Sequence, residues 1–321
     1  MENKILNKEK EMRVFVTGNR GYIGSALVES LKNITFIKNV VGYDLVEGDD
    51  ICDLENLENK MMDANPDVVI HLAAASSVSE CNENPKKAFK VNAIGTRNVL
   101  DAMNRCGCKN IIYASTSSVY NYKNKLPLKE DGNLSPSSVY GITKLMGEQM
   151  IYENYEIKGR SGNYIIFRMF NVVGKTGFEK LDKDLNLGYD RIFSALESGK
   201  FTIYGKDYPT RDGTCERDYV SVKDICVAYV RGIIYMMEGG GRRKILNLCT
   251  GVGVSVLELV KKWEKYNCGV EYVYGERREG DPPRIYGSTK LAHKILYWEA
   301  INDIDKIIAE FGLFEKVAII G

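Results

Sequence analysis

Thr17-Gly18-Asn19-Arg20-Gly21-Tyr22-Ile23-Gly24 decides the reading of this chain: the stretch follows a short apolar run at 13–17 and opens a segment with helical spacing at 22–32. Each glycine in a strand–turn–helix of this kind has its own reason. Gly18 permits the tight turn, Gly21 lets a pyrophosphate approach the backbone, and Gly24 lets the helix sit close to the sheet. The helix start at Tyr22 and Ile23 offers free N–H groups and a partial positive charge to phosphates. A lone glycine motif is weak evidence, since ordinary glycine turns are common; here the strand before it and the amphipathic helix after it supply the context.

Outward from that turn, the Val- and Ile-rich runs 39–43, 68–72 and 111–115 read as buried strands, and 85–106 and 138–153 as helices between and after them. Strand–helix alternation predicts the α/β class: a doubly wound parallel sheet covered on both faces. From about Asn171 the Gly, Pro, Asp and Arg content rises, notably in 205–218 and 275–283, which predicts a smaller α/β lobe on the carboxyl ends of the strands. Segments 218–232 and 244–249 are regular enough to pack back on the first lobe. The expected division is therefore 1–170, with 218–250 packing back on it, for a dinucleotide lobe, and mainly 171–321 for a substrate lobe.

Composition narrows the partners. The chain has 321 residues, 44 Lys plus Arg against 43 Asp plus Glu, and a net charge of +1, so nothing favours a polyanion such as nucleic acid. The first residues are polar rather than signal-like, and no apolar run reaches the ~18 residues of a membrane span. Eight cysteines are scattered; Cys106-Gly107-Cys108, with only His71 and His293 as imidazoles, lacks zinc-site spacing, so no metal is expected. Reduced thiols used as packing groups imply a reducing compartment, the cytoplasm.

Asp44 ends the second strand, where a carboxylate accepts hydrogen bonds from the adenosine ribose hydroxyls and repels a 2′-phosphate, favouring NAD over NADP. Asp50 and Ile51, with Asp53, lie where an adenine contact can form. Tyr140 and Lys144 are four apart and share a helix face, and an ammonium nearby favours phenolate. Thr116, at the end of the fourth strand, can donate to the substrate oxygen that Tyr140 deprotonates.

The segments TGNRGYIGS, VIHLAA, STSSVY and SPSSVYGITKLMGE resemble the extended short-chain dehydrogenases/reductases. Farther on, FRMFNVVG, GKDYPTRDGTCERDYVSVKDI, NLCTGVGVSVLEL and RREGDPP resemble the UDP-galactose (UDP-glucose) 4-epimerases, from about Met12 to Ala292. The resemblance implies that Thr116, Tyr140 and Lys144 are catalytic. It implies that Leu72, Ala73, Asn92, Ser115 and Phe170 lie along NAD, and that Asn171 touches the sugar nucleotide. It gives Arg217, Tyr219, Arg278 and Asp281 the diphosphate and uridine-ribose clamp, and two Arg forks suit a diphosphate. It places Ile285 on the wall near the sugar 2-substituent, where a residue shorter than Tyr leaves room for an N-acetyl group. It also implies a homodimer built on helices 85–106 and 138–153 through Ala88, Val91, Ile94, Leu145, Met146, Met150 and Ile151. The implied reaction is 4-epimerisation of a UDP-hexose through a 4-keto sugar.

Ser76 departs from the resembling epimerases, which often place a Lys near the nicotinamide there; the 44–50 segment is short and the loop 174–188 compressed. Alternatives are a UDP-glucuronate or UDP-pentose 4-epimerase, a nucleotide-sugar 4,6-dehydratase, and a non-catalytic NAD-binding regulator. A dehydratase carries Asp-Glu directly after the Thr, where this chain has Ser117 and Ser118, and a regulator commonly lacks the Tyr or Lys.

Overall fold

The computed structural model describes residues 11–177, 191–240, 243–267, 269–278 and 280–318. Six parallel strands form the central sheet: β1 (Met12–Thr17), β2 (Ile37–Tyr43), β3 (Val68–His71), β4 (Asn110–Thr116), β5 (Asn163–Met169) and, later in the chain, β10 (Lys244–Leu248). Their spatial order is β10-β5-β4-β3-β1-β2. The order reverses between β1 and β3, and in a doubly wound sheet that switch point opens a crevice at the carboxyl ends of the strands.

Alternation along each strand builds two cores. Val14, Val16, Val68, Ile70, Ile112 and Phe167 face one side, where α1 (Tyr22–Lys32) and α8 (Val222–Met237) cover them. Phe15, Val69, Ile111, Tyr113 and Ile166 face the other, beneath α2 (Leu54–Ala64), α5 (Gly95–Cys106) and α6 (Val139–Tyr152). Side chains of period two on a sheet buried on both faces read as continuous apolar runs, which is why the strands were conspicuous in the sequence.

The predicted helix 85–106 is interrupted. After α3 (Val78–Glu83) and α4 (Pro85–Ala88) the chain widens into a π-helical turn over Phe89–Ile94 before α5. A π turn of this kind shifts the helical register by one residue, and such turns concentrate at functional sites. Of the apolar positions expected on an outer face, Ala88 and Ile151 are buried inside, Ile94 is 53% exposed, and Leu145, Met146 and Met150 are half-buried.

The remaining elements follow β5 in the chain. They are β6 (Asn171–Val173), α7 (Arg191–Glu197), β7 (Lys200–Tyr204), β8 (Glu216–Arg217), β9 (Tyr219–Ser221), β11 (Val254–Ser255), α9 (Val256–Tyr266), β12 (Glu271–Gly275), β13 (Arg284–Ile285), α10 (Lys290–Leu296) and α11 (Ile304–Ala318). One of them, α10, packs into the first core through Ala292 and Leu296. Short pairings hold them: β11-β8-β13, β12-β7 and β6-β9. A separate apolar cluster around Phe193, Tyr219, Leu259, Trp263, Ile308 and Phe311 packs this half. The chain returns to the sheet through α8 and β10, which pairs in parallel with β5. Among the described residues no helix is long and apolar enough to cross a membrane.

Candidate active site

The glycine turn lies in the switch-point crevice. Gly18 has φ +75°, and a Cβ there would fall 2.6 Å from the Ala73 nitrogen, so the turn rests on the backbone leaving β3. The Leu72 and Ala73 amides both donate to the Thr17 carbonyl at 3.1 Å. A Cβ on Gly24 would stand 2.0 Å from the Gly18 carbonyl oxygen, so the third glycine seats α1 on the turn itself. Gly21 caps α1 without any side-chain hydrogen bond, leaving the Tyr22 and Ile23 end of the helix open to an anion. The Tyr22 hydroxyl donates to the Gly174 carbonyl at 2.5 Å and so joins the crevice to the chain leaving β6.

Two carboxylates border the turn. Asp44 accepts from the Arg20 amide at 2.9 Å and the Val46 amide at 3.0 Å. Glu47, absent from the sequence reading, accepts from Asn19 at 3.2 Å and stands 3.5 Å from the Arg20 guanidinium. Asp50 accepts from the Cys52 amide at 2.8 Å. Ile51 is 5% exposed and packs on Gly95, where a Cβ would meet its Cδ1 at 2.5 Å. Asp53 is the N-cap of α2 through the Asn56 amide, so its carboxylate serves the helix start.

Tyr140 and Thr116 meet because α6 begins against the turn that follows β4. Ser138 caps α6 through the Gly141 amide at 3.1 Å, and a Cβ on Gly141 would strike the Ser118 carbonyl at 2.4 Å. That approach brings Thr116 close enough to Tyr140 to favour its phenolate form. One turn on, Lys144 is 2% exposed. The sequence suggested that Lys144 lowers the Tyr140 pKa; burial instead carries the phenol up to about 12, with Thr116 opposing and Cys81 adding to the rise. Burial also brings Lys144 down to about 7, with Glu148 opposing. Both groups lose the hydration of their charged forms, and this outweighs the partners that favour those forms, Thr116 for Tyr140 and Glu148 for Lys144.

Two residues expected along the cofactor turn their side chains into the protein. Asn92, on the π-helical turn, accepts from the Ala75 amide at 2.7 Å and donates to the Ala75 carbonyl at 3.0 Å and Thr143 at 2.9 Å. It fastens the loop after β3 to α6. Ser115 donates to Glu148 at 2.5 Å beneath the site. The exposed Ser76 lies in that same loop.

Across the crevice, Phe170 is 5% exposed, and a Cβ on Gly287 would meet its ring at 2.4 Å. Half-buried Asn171 is held by its amide, which donates to the Asp218 carbonyl at 3.0 Å. Arg217, 9% exposed, donates to Asp281 at 2.6 Å and to the Pro282 carbonyl at 2.9 Å. The Tyr219 ring lies in the small-lobe core, and its hydroxyl acts electrostatically on Arg217. Arg278 is exposed and stacks on the Tyr204 ring at 3.9 Å, away from the buried Arg217 pair in character. Ile285 packs against the cluster of Val119, Tyr120, Leu128, Phe170 and Cys249, whereas Tyr286 packs on Gly253. Of the compressed loop 174–188, residues from 178 on lie outside the described residues.

The NAD dependent epimerase/dehydratase family matches residues 14–249. The chain belongs to this family. A UDP-glucose 4-epimerase from Lactobacillus helveticus is 33% identical over 95% of this chain and 97% of its own length. The crystal structure of UDP-glucose 4-epimerase from Brucella ovis in complex with NAD superimposes with a TM-score of 0.82 at 32% identity, covering 93% of this chain and 98% of that one. The UDP-Glc/GlcNAc 4-epimerase from Campylobacter jejuni gives 0.76 at 25% identity, covering 95% and 99%.

This epimerase/dehydratase chain also holds a buried polar layer that the sequence reading missed. Glu148 pairs with Arg168 at 2.7 Å, the two side chains being 3% and 2% exposed, and takes Ser115 as well. His71 bonds Thr17 at 2.7 Å and Thr96 at 3.0 Å. Glu148 carried a visible signal, lying four and eight residues after Lys144 and Tyr140 on one helix face. Arg168, inside an apolar strand run, was a second.

Proposed function

We propose that this chain is an NAD-dependent UDP-hexose 4-epimerase, interconverting UDP-glucose and UDP-galactose. The observation that carries the reading is the approach of Thr116 to Tyr140, close enough to act on its phenol, with Lys144 buried one helical turn beyond it, at the carboxyl ends of the strands whose switch point holds the glycine turn. The cofactor fits the residues present: an uncapped helix start for the diphosphate, Asp44 for the adenosine ribose, and Glu47 as a second charge against a 2′-phosphate. Bound NAD supplies reversible acceptance of a hydride and a positive ring whose charge favours the Tyr140 phenolate. Tyr140 then takes the proton of the sugar 4-hydroxyl and returns it, Thr116 holds that oxygen, and Lys144 holds the nicotinamide ribose. Arg217, Tyr219, Arg278 and Asp281 grip the UDP, Asn171 contacts the sugar nucleotide, and Leu72, Ala73, Ser115 and Phe170 line the cofactor, Ser115 through its backbone.

The cofactor lobe in this reading is 1–170 with 218–250, supported by the pairing of β10 with β5, and the substrate lobe is mainly 171–321. Two such chains join as a homodimer through α6 and the π-helical turn, a reading supported by exposed Phe89, Ile94 and Ile142 on that face. The cytoplasm is the proposed compartment. Neutral hydroxyls at Ser117 and Ser118 disfavour a 4,6-dehydratase.

Ile285, against Phe170, is the proposed wall of the hexose pocket, so N-acetylated hexosamines are accepted too. Product analysis with added NAD tests both points. UDP-galactose and UDP-N-acetylglucosamine are both expected to turn over, and Ile285→Tyr to lose the second. No turnover of UDP-galactose contradicts the function; an Ile285→Tyr variant unimpaired on the acetylated sugar contradicts the pocket wall.

A further inference from the structure

Lys144 presents a problem for the reading above: an ammonium held in a site with almost no water must be stabilised by something other than solvent. Its Nζ lies 4.2 Å from the centroid of the Tyr113 ring. Tyr113 is on β4, three residues before Thr116, and is fully buried. Its hydroxyl donates to the Lys144 backbone carbonyl at 3.4 Å, and its ring lies 5.5 Å, centroid to centroid, from that of His71. The ring therefore has little freedom to leave.

Gly147 is the counterpart of this ring. A Cβ at Gly147 would stand 2.2 Å from the Tyr113 hydroxyl and 2.7 Å from its Cζ. Glycine inside a helix is unfavourable, and here the missing side chain is what admits the aromatic ring under the helix. The other groups facing Lys144 are Glu148 on its own helix, in turn paired with Arg168 from β5, and His71 from β3. Burial keeps His71 neutral, bringing its pKa down to about 3, so it adds no competing charge.

We propose that Tyr113 and Gly147 form a positioning pair for Lys144: the aromatic face holds the ammonium by cation–π attraction, and the notch at Gly147 lets the ring lie there. The pair acts through Lys144 and touches neither substrate nor cofactor. The inference rests on the assignment of Lys144 to the reaction.

The test compares Tyr113→Phe, Tyr113→Leu, Gly147→Ala and Lys144→Met by kcat and KM for the sugar nucleotide, by NAD affinity in titration calorimetry, and by Tm. Tyr113→Phe keeps the ring face and is expected to hold kcat within about 3-fold of the parent, whereas Tyr113→Leu loses about 10-fold. Tyr113→Leu should also weaken NAD binding several-fold while leaving KM for the sugar nucleotide unchanged. Gly147→Ala keeps every polar group but displaces the ring, and is expected to follow Tyr113→Leu. Equal impairment of Phe and Leu in step with Tm, or a parent-like kcat in Leu, overturns the proposal. If Leu does not fold, a parent-like Gly147→Ala overturns it alone. Lys144→Met separates the two levels: retained turnover there removes the catalytic assignment and this inference together. An inactive Lys144→Met beside a parent-like Tyr113→Leu removes only the inference.

Discussion

His71 shows how a single residue sets a pH dependence. Its ring is fully buried between Thr17 and Thr96, and burial brings its pKa from 6.5 down to about 3. The unfolded chain therefore binds a proton through the window from about 6.5 to about 3 in which the folded chain does not. Stability is lost as pH falls through that window and is unaffected by this residue above it. Urea midpoints followed from pH 7 downward are expected to fall less steeply in His71→Asn than in the parent. Parallel slopes would contradict the buried, neutral imidazole. At this scale the candidate site was legible where a residue type announces its chemistry: Tyr140, Lys144, Thr116, Asp44 and the three glycines of the turn, of which the structure brings Tyr140 near Thr116 and seats the turn at the switch point. It was illegible where a side chain points inward. Asn92 and Ser115 have the polarity of ligand contacts, and only the fold reveals that their side chains bond Ala75, Thr143 and Glu148.

At the scale of elements, one carboxylate fastens α6, the helix that bears Tyr140 and Lys144, to the sheet. Glu148 on α6 takes Arg168 from β5 and Ser115 from β4, and so joins the helix that bears Tyr140 to the strand that ends at Thr116 and the strand that leads into Phe170. Removing one partner of a buried pair leaves an uncompensated charge and costs about 3–5 kcal/mol, whereas removing both leaves none. Arg168→Met is therefore expected to lower the denaturation midpoint strongly, and the double variant Arg168→Met/Glu148→Met to recover much of it. A double variant as unstable as the single one would contradict the pairing. The same Arg168 explains an unread strand: a charge inside NYIIFRM breaks the apolar run, and nothing local says that its partner lies on α6. Helix α2 went unread because LENLENKMMDA is mostly polar; its buried face is Leu57 and Met61, and its capping residue, Asp53, looked like a ligand contact. Helix α1 was read with its observed bounds because glycine turn, apolar stripe and terminal Lys32 agree.

At the scale of the whole molecule, a sheet with a switch point suited to a dinucleotide is joined to a second half that carries the Arg217–Asp281 pair. The doubly wound lobe was legible because parallel strands buried on both faces repeat one strong pattern. The second half was not, because two- and three-residue pairings such as β8–β13 have no periodicity to read. The most direct test of the central claim follows the hydrogen on C4. UDP-galactose deuterated at C4, incubated with the parent chain and NAD, is expected to give UDP-glucose with the deuterium still on C4, and Tyr140→Phe to slow that conversion by about 10²–10⁴-fold. Label lost to solvent, a dehydrated 4-keto product, or a Tyr140→Phe variant as fast as the parent would contradict it.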